Sequence, residues 1–486
     1  MISRAYRATR VNEVDWDRLA RGHEGMNLTL GIDVGKHDLW PVCRWASGRF
    51  ERPWRVKNPQ EIPRLITLIQ RMSVGRKLVV ALESSGTYGD ALRQALSDAH
   101  VEVVRVSNKA VHDYAEVFDG VPSQHDGKDG ALIAELAALG KAQPWAYQAA
   151  SDWEQELRYW VEWMVVHRQI LATWQGRLEG LVSRHWPEAT QVLKLSSVTL
   201  LRVLEHYGSP AALAADSQAA PHLARWGGSF LAPEKAQRLL ADATASVGVR
   251  VEPWQRRQIQ EYARAALVAR QEAQRAQRRL CQLAAGHPVL QAQGKVVGVP
   301  TACVLWTSTG DPREYHAAAA YRKAMGLNLT ERSSGCYQGR LRISKRGSAR
   351  ARQWLYFAAL RLIQNSQVRP WYEAKKARDD EDARLVVVAV MRKLSLALFH
   401  VGVKGEPFQP WRLFAGIRRC DETGDLTAGR KDRRTAQAVE AELGSWPDQS
   451  DGMPRCRGSR ASHPGRISPA SCRRAGALIA APCTPG

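Results

Sequence analysis

The stretch Leu28-Thr29-Leu30-Gly31-Ile32-Asp33-Val34-Gly35-Lys36 decides the fold. Its apolar residues follow one another as in a buried β-strand, and the strand runs into an aspartate and then a glycine. The same form recurs at Lys77-Leu78-Val79-Val80-Ala81-Leu82-Glu83, an apolar run of strand length that ends on a second carboxylate. Between the two, residues 39–45 read as a strand and residues 50–56 as another, closing an antiparallel meander. Residues 59–72 carry helical spacing at Ile62, Leu65, Ile66 and Ile69. After Ser84-Ser85-Gly86-Thr87 a helix runs through Leu96, and residues 101–106 form a further strand with a helix behind it.

Three initial strands followed by strand–helix alternation predict an α/β domain of ribonuclease H-like layout over residues 28–148. Residues 1–27 show neither period and read as a flexible leader, with Met26 just before the first strand. Residues 149–293 are helix-rich and heavy in Arg and Gln. Within them 258–283 lack Gly and Pro and read as a long exposed helix, free or coiled with another, while 210–233 read as a turn-bearing interruption. Residues 294–410 are again helical except for a Gly/Ser-rich loop at 329–347 and form a small C-terminal α-helical domain. Residues 424–486, rich in Arg, Ser, Pro and Gly, cannot bury a core and read as a disordered basic tail.

The chain has 486 residues and a formal net charge of +22, with 70 Lys and Arg against 48 Asp and Glu. Such a surplus implies a polyanionic partner, because cations that neutralise phosphates release condensed counterions. A solvated basic surface or a membrane-surface protein is the blander alternative. No stretch approaches the roughly 18 uninterrupted apolar residues of a membrane span, and residues 1–10 lack the apolar core of a signal peptide. Eight cysteines stand singly, without a C-x-x-C pair, which gives neither a zinc ribbon nor a disulfide framework. The chain reads as a cytoplasmic protein with reduced thiols.

Four acids carry the candidate chemistry. Asp33 and Glu83 each end a strand, and the carboxyl ends of adjacent parallel strands meet at the edge where ligands bind. Asp126 and Asp129 share one face at the head of a helix and are expected to lie opposite. Crowded carboxylates raise one another's pKa unless a cation intervenes. Mg²⁺ binds through oxygen ligands, and two such ions about 3.5–4 Å apart would clamp the attacking and leaving oxygens of a phosphodiester. Singly, each acid could equally be a turn residue or a helix cap.

A second group is Thr330-Glu331-Arg332-Ser333-Ser334-Gly335, followed by Arg342-Ile343-Ser344-Lys345-Arg346-Gly347. A serine that attacks phosphorus needs cations to hold the phosphoryl charge. Arg332, Arg340, Arg342, Lys345 and Arg346 supply them. By spacing alone, a loop whose cations merely grip a phosphate backbone is the favoured reading. Gly298-Val299-Pro300-Thr301-Ala302 suggests a helix–hairpin–helix, although Pro300 offers no N–H to a phosphate. Trp153, Trp160, Trp163 and Trp174 could stack on bases but fit a core or interface better.

Together these residues resemble one family. Gly31 to Lys36, Glu83-Ser84-Ser85-Gly86-Thr87-Tyr88 and the Asp126/Asp129 pair match in order and spacing the DEDD motif of the insertion-sequence-110 transposases. Thr301 through Asp311, Ser333-Ser334-Gly335, Ile343 to Gly347, Val390 to Leu394 and Pro407-Phe408 are similar to that family's C-terminal transposase domain. Gln124-His125 stand before Asp126 where Lys-Thr is usual. The resemblance implies a RuvC-like domain binding Mg²⁺ through Asp33, Glu83, Asp126 and Asp129. It also implies Ser334 as the nucleophile of a phosphoserine intermediate, acting with the four acids as the catalytic set. It implies donor and target DNA, a structured bridge RNA that pairs with both, and a homotetramer working on nucleoid DNA. Two rivals stand beside it: a RuvC-type structure-selective endonuclease that uses only the acids, and a decayed transposase that binds nucleic acid without catalysis.

Overall fold

The computed structural model describes residues 7–414, apart from 85, 122–124, 146, 148–149, 332, 335–336, 339–340 and 379–381; at 333–334 and 337–338 it describes the backbone alone. The expected tail at 424–486, and Arg332, Gly335 and Arg340 of the serine loop, lie outside the described residues. The chain falls into two compact units that divide between Gln155 and Glu156.

The first unit is a mixed sheet. Its strands are β1 (Thr9–Arg10), β2 (Leu28–Val34), β3 (Asp38–Trp45), β4 (Trp54–Lys57), β5 (Leu78–Glu83), β6 (Glu102–Val106) and β7 (Gln143–Pro144). They lie in the order β1-β4-β3-β2-β5-β6-β7. Strands β2, β3 and β4 form the expected antiparallel meander, and β5 and β6 continue it parallel to β2. The third strand is shorter than its sequence suggested: Phe50 makes only an isolated bridge to Arg44, and pairing resumes at Trp54.

Period-two alternation assigns each face of the sheet. Leu28, Leu30, Ile32 and Val34 of β2, with Leu78, Val80 and Leu82 of β5, enter a core closed by α2 (Ile62–Ser73) and α3 (Asp90–Asp98). Ala81 belongs to a second core with α4 (Asn108–Asp119) and α5 (Asp126–Ala138) on the opposite face. Gly31 meets α5 directly. Asp33 and Glu83, two residues beyond Gly31 and Ala81, therefore share the face that α5 covers.

The leader is a correction. Val11 and Trp16 are buried, β1 adds a parallel edge to β4, and α1 (Trp16–Ala20) stacks Trp16 on Trp45 at 5.7 Å. His23 stacks on the same indole at 4.3 Å, and the Arg76 guanidinium lies over both tryptophans. A two-residue strand and a five-residue helix leave no periodic trace, which is why this segment looked unstructured.

Among the described residues the second unit is helical, apart from two small strand pairs. Through the division between units runs α6 (Asp152–His185), followed by α7 (Ala189–Val192), α8 (Val198–His206), α9 (Pro210–Ala214), α10 (Ala219–Gly227), α11 (Pro233–Thr244) and α12 (Pro253–Ala284). The expected interruption at 210–233 thus holds two short helices. Helix α12 is not exposed all round: Ile259, Ala263, Ala266, Ala273, Ala276, Leu280 and Ala284 form a buried stripe at helical spacing. Trp163 donates its indole N–H to Glu272 on α12, and Trp174 tilts on Tyr262, so these aromatics are packing residues.

Helices α13 (Pro288–Val297), α14 (Val299–Thr309), α15 (Ala318–Ala324), α16 (Ala349–Ile363), α17 (Arg369–Arg378) and α18 (Ala383–Lys404) complete the unit. Gly298, at φ +85°, is the single residue joining α13 to α14, a turn that favours glycine. Helix α18 is long and apolar enough to cross a membrane, but most of it is buried against α13, α15 and α16, as in a core helix. Cys43, Cys281 and Cys303 are free thiols.

Candidate active site

Register sets the first two acids side by side. Ile32 pairs with Leu82 across the parallel β2–β5 ladder, so Asp33 and Glu83 occupy the next rung at the carboxyl edge. Helix α5 brings Asp126 and Asp129 to them, because Gly31 and Gly130 let its backbone lie flush on β2 and β3. The start of α5 is fixed by His125, whose Nδ1 accepts the N–H of Lys128 at 3.1 Å.

The charges of the four acids act on one another. Burial, then the charge of Glu83, with Asp129 and Asp126 behind it, pushes the Asp33 carboxyl up to about 7. Burial and Asp129 raise Glu83, partly offset by a hydrogen bond with Asp33. Burial and Asp126 raise Asp129, against the opposing charges of His125 and Lys128. An oxygen-only cluster that stores protons because its charges repel is suited to a hard divalent cation.

The surrounding residues hold the two strand ends. Asn58 Nδ2 donates to the Gly35 carbonyl at 3.0 Å and to the Tyr88 carbonyl at 3.2 Å, tying together the turns that follow Asp33 and Glu83. Asn108 clasps Ser84, accepting its N–H and donating to its carbonyl. Lys128, fully buried, donates to Asp119 and to the Val121 carbonyl, both at 2.6 Å, and so pins the segment leading into α5. Arg55, held by two hydrogen bonds to Asp38, feels the charge of Asp126 and lies at the rim. Sequence reasoning missed these four. The signal open to it was the lysine between the two aspartates, a residue type that is rarely buried without a partner.

The serine segment lies in the second unit. Ser333–Ser334 pairs antiparallel with Tyr337–Gln338, and Leu329–Thr330 with Arg342–Ile343. Its root is firm. The Lys345 N–H donates to the Gly326 carbonyl, and Arg352 donates to the carbonyls of Met325 and Gly347. Arg392 donates to the Leu327 carbonyl. Lys345 itself sits at φ +54°, a left-handed conformation that costs a non-glycine residue on the order of 1 kcal/mol. Arg342, Lys345 and Arg346 are exposed.

Two protein-family models match the chain. Residues 30–187 match the DEDD transposase model of insertion sequence IS110, and residues 292–374 match the model described as transposase IS116/IS110/IS902 family. The chain is 24% identical over 412 residues to the insertion element IS110 uncharacterized 43.6 kDa protein of Streptomyces coelicolor, covering 81% of this chain and 98% of that protein. Among solved structures, T. thermophilus RuvC in complex with a Holliday junction substrate is similar over 24% of this chain and 99% of its own, at 19% identity and a TM-score of 0.19.

Proposed function

We propose, from the premise that this chain belongs to the IS116/IS110/IS902 family of transposases, that it cuts and rejoins DNA through a phosphoserine on Ser334. The observation that carries the reading is the four-carboxylate edge, which a ribonuclease H-like sheet would offer at this place and whose Asp33 holds its proton up to about 7. Asp33, Glu83, Asp126 and Asp129 would hold Mg²⁺, which when bound supplies charge neutralisation at the scissile phosphate.

The chain's own residues do the rest. The Ser334 Oγ–phosphorus bond forms as the bond from phosphorus to one deoxyribose oxygen breaks, and the serine proton is balanced by protonation of the leaving oxygen. The reverse attack by a deoxyribose hydroxyl restores the serine and joins the strand. Phosphodiester energy is kept throughout, so rejoining needs no nucleotide cofactor. Arg332, Arg340, Arg342, Lys345 and Arg346 would bind the phosphate backbone. A structured guide RNA paired to donor and target DNA, a homotetramer and action on nucleoid DNA in the cytoplasm belong to the same proposal. Their support is the ordered motif set and the charge of +22.

The test is denaturing electrophoresis of labelled substrate DNA incubated with protein and Mg²⁺. Wild type gives a slow-migrating covalent adduct, and Ser334→Ala gives neither adduct nor joined product. Nicked DNA from Ser334→Ala at the wild-type rate would make water the nucleophile and the protein an endonuclease.

A further inference from the structure

We infer that the helical unit binds one divalent transition-metal ion of zinc-like softness through His206, Asp216 and His222. One ligand atom from each lies within 4.8 Å of the other two. His206 ends α8, Asp216 follows α9 and His222 lies in α10, so three elements converge on one point.

The donors are positioned rather than merely near. Asp216 turns one oxygen outward to the Gln218 N–H at 2.8 Å and the other inward, 3.5 Å from His222 Nδ1. The Tyr207 hydroxyl lies 2.6 Å from that inward oxygen and 2.8 Å from the same nitrogen. The His222 ring stacks on Trp226 at 5.3 Å, and His206 meets the same indole edge-on at 5.4 Å. The backbone beneath is tied to α12. Gln260 donates to the His206 carbonyl and Arg256 to the Tyr207 carbonyl, and Gly208, at φ +64°, lies where a Cβ would strike the Arg256 backbone. A hydrogen-bonded partner that fixes a ligating carboxylate and imidazole is what the outer shell of a metal site supplies, and the Tyr207 hydroxyl stands in that position.

The donor set names the ion. Two imidazoles and a carboxylate match Zn²⁺ and its analogue Co²⁺, with water completing four-coordination. Mg²⁺ prefers oxygen ligands and suits the acidic edge of the other unit instead. None of the three donors is fully buried, so an ion can enter from solvent. Bound there, it would cross-link α8 to α10 and stiffen the helical unit.

The experiment uses the full chain, stripped with chelator and held in excess Mg²⁺ to occupy the acidic edge. Titrated Co²⁺ should give visible ligand-field bands that saturate at one equivalent and bleach when Zn²⁺ is added, and Zn²⁺ should raise the melting temperature. His206→Gln, at an exposed position, and His222→Gln should abolish the bands with helical circular dichroism unchanged. Tyr207→Phe should weaken Co²⁺ binding about 10-fold, as loss of an outer-shell partner does. Asp33→Asn with Asp129→Asn should leave the bands intact. Absence of bands in the wild type, or bands that survive His206→Gln, would overturn the site. Bands lost only with Asp33 and Asp129 would assign the ion to the acidic edge and overturn it equally.

Discussion

Gly31 on β2 and Gly130 on α5 face each other so closely that a Cβ on Gly31 would overlap the Gly130 carbonyl oxygen, while a Cβ on Gly130 would overlap the Trp40 carbonyl oxygen. This pair brings Asp129 down onto Asp33, because α5 approaches the sheet at backbone distance only where both elements lack a side chain.

Gly130→Ala should therefore destabilise the protein by about 3 kcal/mol, the upper part of the range for overpacking, since the obstacles are backbone atoms. It should also reduce DNA cleavage by lifting Asp129 from Asp33. Gly180→Ala is the control. It lies inside α6 with open space around its Cβ, so replacing the glycine should stabilise by roughly 0.5–1 kcal/mol. Urea melts of the two variants check both signs.

Lys128→Met keeps the volume of a fully buried side chain but removes the ammonium that Asp119 and the Val121 carbonyl share. Breaking a buried pair costs about 3–5 kcal/mol, and the partial exposure of Asp119 lowers the expectation to about 2. Lys128→Arg should recover little, because a planar fork cannot fill the place of a compact ammonium. Equal melting midpoints for Lys128→Met and wild type would show that the ion pair does not hold α5.

Some of this was legible in the sequence. Strands ending on Asp33 and Glu83 are announced by their apolar runs, and a glycine inside a strand hints at a close backbone approach. Other features left no periodic trace. The buried stripe of α12 is mostly alanine, whose small surface barely separates a core face from an Arg- and Gln-rich one. Lys128 is polar by type and buried because Asp119 and Val121, several residues earlier in the chain, offer it acceptors. His206, Asp216 and His222 stand on three elements that only tertiary packing brings together.

Nucleic-acid affinity should fall steeply with salt. A chain of net charge +22 that contacts six to ten phosphates should lose about 10³-fold or more in affinity between roughly 50 and 200 mM salt. Filter binding at several salt concentrations measures the slope. A flat response would mean that the excess charge does not meet phosphate.

Asp33 makes the stability of the metal-free protein depend on pH in a direction opposite to that of a salt-bridged acid. Its folded-state pKa stands at about 7 against an ordinary 3.8. Between those values the folded chain keeps a proton that the unfolded chain has released. Stability contributed by that proton is complete below the ordinary value and is lost as pH rises through the window to about 7. Asp33→Asn cannot ionise and escapes the loss. Metal-free Asp33→Asn should thus match wild type near pH 4 and exceed it increasingly up to pH 7, by at most about 4 kcal/mol. Above pH 7 the difference should stay constant. Subtracting the two melting curves removes the titrating groups that do not interact with Asp33. Mg²⁺ competes with the proton for the same oxygens, so at pH 8 it should raise the wild-type melting temperature more than that of the asparagine variant. Melting curves for wild type and Asp33→Asn that stay parallel from pH 4 to pH 8 would show that Asp33 does not face its neighbouring carboxylates.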